Sequence, residues 1–315
     1  MQIGLMAPQG WKGEYDGWAP ADAWNRTIEL AHQAEALGFE SLWVFDHFHT
    51  VPEPTDEMTL ESFTTLAALA RETHRVRLGH MVICTGFRNP ALTAKMASTL
   101  DVLSGGRFEL GIGAGWKEEE WRAYGYGFPT LGERMAAFGD HLEVIRAMLG
   151  PGRATYEGRF ATVRGAINIP KGIQSHIPVI VGGNGERVTA GYAIRFGDEL
   201  NFVFLDAREI TKRIAAVRAR CEEEGRDPGT LRFSLYARDE TMSEAGRARV
   251  DALAGFAEIG LDRLVAFPTR WSPTIEAQAA FAEDCQAAGI TLEPEPAVDD
   301  DAPSGHEPVA ISRAR

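Results

Sequence analysis

In Phe45-Asp46-His47-Phe48-His49 an acid and an imidazole stand directly behind Leu42-Trp43-Val44-Phe45, an apolar run that reads as a buried strand. Histidine gains and loses a proton near neutral pH, and a carboxylate beside it can orient the ring or contact a ligand. The chemistry indicated is a proton transfer at the carboxyl end of a strand, with Asp46 and His47 as candidate catalytic residues and His49 as a loop residue. Two further exits carry polar groups or glycines. Residues 76–83 form a strand leading into Cys84-Thr85-Gly86 and Asn89-Pro90, and residues 107–112 form one leading into Gly113-Ala114-Gly115-Trp116. Glycines at 111, 113 and 115 let the backbone approach a ligand closely. The amides of residues 114–118 could receive an anionic group. Gly182-Gly183-Asn184-Gly185, before a helix expected over 185–196 and next to Arg187, is the better anion cradle.

Composition removes several function classes. The chain has 315 residues, 45 Asp and Glu against 32 Lys and Arg, and a formal net charge of -13, so its global field repels nucleic acid and anionic membranes. Cys84, Cys221 and Cys285 lie far apart without metal-ligand or paired spacing, which argues against a zinc site or a disulfide framework. Cys84 reads as a small buried residue. No Gly-x-Gly-x-x-Gly follows the first strand, so a dinucleotide fold is disfavoured. The first residues lack a basic, then apolar, export signal, and no run is long enough to span a membrane; the reading is cytoplasmic.

The elements that must position these residues alternate. Strands are expected at 2–7, 40–45, 76–83, 107–112, 178–181, 200–205, 231–236 and 263–267, with a helical period after each. Asp22 is the expected N-cap of the first helix. Strands that are apolar on both faces and alternate with helices predict a (β/α)8 barrel, with an open doubly wound sheet as the other architecture. The long connections 113–130 and 150–177 are insertions after the fourth strand and before the fifth, the first aromatic and placed over the mouth. Lys117-Glu118-Glu119-Glu120 reads as a solvated face. Residues 1–292 form the expected domain, and 293–315, rich in Pro and Asp, read as a disordered tail.

Trp43-Val44-Phe45-Asp46-His47-Phe48, Phe87-Arg88-Asn89-Pro90, residues 99–107, Gly111–Trp116, Tyr124–Pro129 and Val181–Glu186 together resemble the luciferase-like monooxygenase superfamily. More narrowly, they resemble its branch that uses the deazaflavin coenzyme F420. The resemblance implies a TIM barrel with a flat ring at the strands' carboxyl ends and hydride transfer at the ring's C5. It implies that His47 moves the accompanying proton, and that a bulge at Ile83-Cys84 carries a non-proline cis peptide behind the ring. The cofactor-binding residues it implies are Asp46, Ile83, Cys84, Thr85, Asn89, Gly113, Ala114, Gly115, Trp116, Gly182, Gly183, Asn184 and Gly185, with Arg187 or Lys117 facing the phosphate chain. FMN with monooxygenase chemistry, or a flavin-binding protein without turnover, are the other readings. Trp116 stands where the sugar-phosphate dehydrogenases of this branch have a glutamate, which argues against a sugar phosphate and a second carboxylate acid. The aromatic loop instead suggests a small apolar or aromatic substrate. The resemblance also implies a homodimer formed by the helices after the second and third strands, which carry Phe63, Leu66, Leu92 and Met96.

Overall fold

Short runs rich in β-branched and aromatic residues form eight parallel strands in the computed structural model, which describes residues 1–293. They are β1 (Gln2–Met6), β2 (Ser41–Val44), β3 (Arg77–His80), β4 (Phe108–Gly113), β5 (Val179–Gly182), β6 (Glu199–Val203), β7 (Arg232–Tyr236) and β8 (Arg263–Ala266). Each pairs with its neighbour in sequence, β8 pairs with β1, and Leu78↔Phe108 and Gly79↔Glu109 join β3 to β4, so the sheet closes into the expected (β/α)8 barrel. All residues of β2 and β4 are buried, as a strand covered by helices on one side and barrel contents on the other requires. The expected tail lies outside the described residues from 294 onward.

One main helix follows each strand: α1 (Pro20–Leu37), α2 (Ser62–Glu72), α3 (Pro90–Leu103), α4 (Leu131–Leu149), α5 (Val188–Phe196), α6 (Ala207–Glu223), α7 (Arg247–Glu258) and α8 (Ile275–Ala287). Local chemistry sets their ends. Thr130 and Glu133 cap α4 reciprocally, and Asn89 accepts from the Ala91 amide ahead of Pro90 at the start of α3. Asp22 is not the cap of α1; Ala19 holds that position, Pro20 opens the helix and Asp22 falls in its first turn. The helix expected from 185 begins at Val188, so Gly185 belongs to the preceding loop. Phe63 and Leu66 are buried in the main core and leave Leu92 and Met96 as the accessible part of the expected pairing face.

The expected strand 76–83 is interrupted. β3 stops at His80, the peptide Met81-Val82 is cis, and Ile83-Cys84 resumes as a two-residue strand paired with Ile112 and Gly113 of β4. The cis bond therefore precedes Ile83-Cys84, which is regular strand and not the bulge itself. The 150–177 insertion contains a hairpin, Ala154–Glu157 with Thr162–Ala166, tied to α4 through Tyr156 and Asp140 at 2.7 Å.

Two ionic arrangements hold the ends of the barrel. At the amino end the fully buried Arg263 guanidinium meets Glu109 at 2.8 Å, Glu199 at 3.0 Å and Glu40 at 2.8 Å, while Arg77 and Arg232 pair with Glu109 and Glu199 from outside. At the carboxyl end Asp46 accepts both Arg88 nitrogens at 2.7 and 2.8 Å, the Ser62 hydroxyl at 2.7 Å and the Cys84 amide at 2.9 Å. Burial alone would raise the Asp46 pKa; hydrogen bonding and charge from Arg88 outweigh it and hold the carboxyl below its ordinary value.

Arg263→Met should cost about 3–5 kcal/mol of unfolding free energy in urea titrations, because it strands buried carboxylates around an apolar side chain. Asp46→Asn should cost about 2 kcal/mol at neutral pH, the scale of a buried charge-assisted hydrogen bond. Because the Asp46 pKa is depressed in the folded state, that difference should be full above the unfolded value of about 4 and shrink as pH falls through the folded one. Urea midpoints of both proteins at pH 7 and near pH 3 measure it, and a constant gap would mean that the carboxylate's charge contributes nothing.

Candidate active site

Successive side chains of an extended segment point to opposite sides, and this separates the two members of the Asp46-His47 pair. Asp46 turns into the Arg88 clamp. His47 turns toward the mouth, where its Nδ1 lies 2.7 Å from Glu120 Oε2. The ring stacks flat on Trp11, with centroids 4.0 Å apart, and meets the edge of Trp116 at 6.0 Å. Glu120 Oε1 also accepts the Phe48 amide at 2.5 Å. A carboxylate already accepting at one oxygen acts as acceptor at the other, so Nδ1–H donates to Glu120 and Nε2 is left toward the mouth. Nε2 finds no partner among the described residues.

Glu120 corrects the reading of the 117–120 run as solvated. Glu118–Ala123 is a short helix, and its Glu120 and Trp121 are buried while Glu118 and Glu119 face out. The run supplies the carboxylate that orients His47, a role the residues alone leave open to Asp46. A helical projection of residues 118–123 sets Glu118 nearer to Trp121 than Glu120, so no local signal singles Glu120 out. Lys117 is buried as well, and its ammonium lies 3.5 Å from Glu119.

The wall beside this pair is built from backbone. A Cβ on Gly113 or Gly182 would come within 2.9 Å of the Val82 side chain, and one on Gly115, at φ 77°, would meet Cys84 Sγ at 2.4 Å. Only glycine fits there, which brings three strand exits together around Val82, Ile83 and Cys84. Burial pushes the Cys84 thiol up to about 12, with the Asp46 charge adding to it, so the thiol is an apolar wall. Thr85 Oγ1 pairs with His141 Nδ1 at 2.7 Å, beside a cavity of about 230 Å³ that Ala114, Trp121, Arg134 and Phe160 also line.

Not every sequence-derived residue faces this wall with its side chain. The Asn89 side chain is spent on the α3 cap, and that of Asn184 on both backbone groups of Val203, at 2.9 and 3.0 Å. Gly183 stands at φ 134°, where a Cβ would meet the Thr189 methyl at 3.4 Å, and among the described residues the amides of Asn184, Gly185 and Glu186 donate to nothing. Glycine walls around Val82 and a loop of free amides beside the exposed Arg187 fit a flat ring with a phosphate-bearing chain. Trp116, 66% exposed, overhangs the mouth, whereas Phe48, Phe87, Trp121 and Phe128 form a small core that holds the aromatic loop in place.

The loop after β1 contributes a second polar group that the sequence reading missed. Glu14 is buried and gathers the amides of Gln9, Gly10 and Lys12 at 2.7–2.8 Å, and Gln9 pairs through its carboxamide with both backbone groups of Phe45. This fixes Trp11 under His47 and Lys12 against Tyr236 and Asp239. The signal was the one used for Asp46-His47, polar residues just past a strand's carboxyl end, applied to β1.

Residues 1–302 match the family model described as luciferase-like monooxygenase. An uncharacterized protein of Mycobacterium tuberculosis is 31% identical over 183 residues, 53% of this chain and 64% of its own length. An F420-dependent glucose-6-phosphate dehydrogenase of Kineococcus radiotolerans is 33% identical over 190 residues, 60% of this chain and 54% of that protein. The chain thus spans less than two thirds of these relatives' length. The pyrimidine monooxygenase RutA of Escherichia coli is 31% identical over 267 residues, 79% of this chain and 67% of that protein. Among solved structures, an F420-dependent secondary alcohol dehydrogenase in complex with an F420-acetone adduct superposes with a TM-score of 0.75 at 21% identity, over 91% of this chain and 98% of the other. A type II Baeyer-Villiger monooxygenase of Pseudomonas putida in complex with FMN does so with 0.68 at 15%, over 93% and 99%. These two likenesses concern the fold. With a barrel that closes between β3 and β4 and a matching family model over most of its length, the chain belongs to the luciferase-like monooxygenase family.

Proposed function

We propose that this chain is an F420-dependent oxidoreductase that reduces a small carbonyl-bearing or unsaturated compound, with His47 as proton donor. The observation that carries the reading is the His47–Glu120 pair, one nitrogen held by a buried carboxylate and the other left to the mouth beside Trp116. The bound deazaflavin would supply hydride at its C5. Val82, Ile83, Cys84, Thr85, Gly113, Ala114 and Gly115 would back the ring, with Asp46 holding the Cys84 amide in that wall. Gly182, Gly183, Asn184 and Gly185 would take the phosphate chain, with Arg187 nearby.

His47 serves as donor because Glu120 stabilises the imidazolium and fixes its plane between two indoles, so that Nε2–H points toward the position a nascent alkoxide or carbanion would take. Trp11 and Trp116 offer apolar contact beside that nitrogen. The F420-dependent dehydrogenase among the relatives supports this cofactor, and the monooxygenase relatives support a second reading, FMN with oxygen chemistry. A cytoplasmic homodimer completes the proposal. Leu92 and Val102 of α3 are exposed, and Ile169, whose carbonyl accepts Lys95 of α3 at 2.5 Å, is 65% exposed beside them.

Titration of the purified protein should show tighter binding of F420 than of FMN by absorbance and fluorescence; tighter FMN binding would move the chain to the second reading. Bleaching of the bound cofactor by substrate separates an enzyme from a carrier. His47→Ala should leave F420 affinity within about threefold while slowing turnover roughly 10²–10⁴-fold. Glu120→Gln should slow turnover by a comparable, roughly 10²–10⁴-fold factor, because the amide also stabilises the wrong tautomer. Sedimentation at micromolar concentration should show a dimer, and a monomer would count against the α3 face.

A further inference from the structure

Lys12 is a buried cation in the barrel mouth that proton transfer at His47 does not use. Its side chain is 7% exposed, its ammonium contacts Asp239 and donates to the Tyr236 hydroxyl at 2.9 Å, and the rings of Trp11, Phe45, Phe204 and Tyr236 surround it at 5.2–5.8 Å. Phe204 reaches the ammonium from a backbone at φ 57°, a conformation unusual for a phenylalanine, with its amide held by the Tyr236 carbonyl at 3.0 Å.

The hydrogen-bond donors around Lys12 outnumber the acceptors that the described residues offer them. Asp239, 2% exposed, divides its oxygens among Lys12, Arg270 at 2.9 Å and the Tyr236 hydroxyl at 2.5 Å. Glu14, the other carboxylate near Lys12, is spent on backbone amides, and Glu240, 3.6 Å from Arg270, is exposed. Donors are left over: the third N–H of Lys12, Arg270 Nε and Trp11 Nε1, the last two buried and without any partner. Buried donors without acceptors call for an acceptor, and a carboxylate, which accepts at both oxygens in charge-assisted hydrogen bonds, is the group that ammonium and guanidinium N–H groups bind most strongly.

Trp11 has His47 stacked on its ring and Lys12 within 5.3 Å of the same ring's centroid. We propose that Lys12, set by Tyr236 and Asp239 and aided by Arg270, binds a carboxylate of the substrate, whose reacting carbon then lies near His47. The site thus takes a small unsaturated or carbonyl-bearing acid, which rests on the hydride-transfer reading and narrows its substrate class. A purely structural tie between the exits of β1 and β7 would need no such ligand.

The test uses the full chain loaded with F420, titrated with crotonate, benzoate and cinnamate, each against its own amide, and followed by calorimetry. At least one acid should bind more tightly than its amide to the wild-type protein. Lys12→Met should weaken that acid roughly 10–100-fold, the scale of one buried charge-assisted hydrogen bond, with the amide changed less than about threefold. Tyr236→Phe, which keeps the ring, should give a smaller loss in the same sense, and it carries the test if Lys12→Met does not fold. No preference for any acid in the wild type, or acid and amide weakened alike in the variants, overturns the proposal. If the wild type does not take up F420, the titrations are made on the cofactor-free protein. An acid preference that depends on Lys12 there keeps the carboxylate site while the cofactor reading falls.

Discussion

Closure of the barrel rests on one guanidinium. Arg263 begins β8 where it pairs with β1, and its fork spans carboxylates borne by β4, β6 and the approach to β2, so a single side chain ties four segments at the amino end. A charge buried this far from water is tolerated only when its neighbours complete the set. Here Arg77 and Arg232 bring the local cations to the same number as Glu40, Glu109 and Glu199. A register slip in any of these strands would move a carboxylate to the outer face and leave the guanidinium unpaired.

Above this layer lies Trp43, fully buried with the Arg263 guanidinium 5.0 Å from its ring. The indole fits because its neighbours on either side have no side chain: a Cβ on Gly79 would lie 2.4 Å from the ring and one on Gly4 2.6 Å from its nitrogen. The interior is thus filled from the ionic layer through Trp43 to Phe45, Ile180, Tyr236 and Phe267, and the mouth is a shallow chamber over a packed floor. Two polar groups stand at the rim of that floor. His47 with Glu120 and Lys12 with Asp239 both stand against Trp11.

Asp46 and His47 are adjacent, yet the structure gives them opposite tasks. The carboxylate faces inward and fixes the Cys84 segment through Arg88, and the imidazole faces the mouth, oriented by a residue 73 positions away. Stability and chemistry are therefore divided between neighbouring side chains by the alternation of an extended backbone.

Much of this was legible in the chain. Apolar runs separated by capped amphipathic segments are local signals, and they located the eight strands and eight helices within a few residues. The fold class followed, as did the position of His47 past a strand end and the glycines at 113, 115 and 182–183. Local patterns do not carry pairing between distant side chains. Glu120 looked solvated because a charged run has no partner in its own sequence neighbourhood, and Asp46 looked like His47's partner because it adjoins it. The site of the cis peptide, the burial of Lys12 and the use of the Asn184 side chain on the Val203 backbone were likewise decided only when distant segments met. Covalent order and periodicity specify which elements form and which way each face points. Which polar group completes another inside a low-dielectric barrel is set by the closure of the sheet, since burial makes every unpaired donor or charge costly and selects the arrangement in which most find partners.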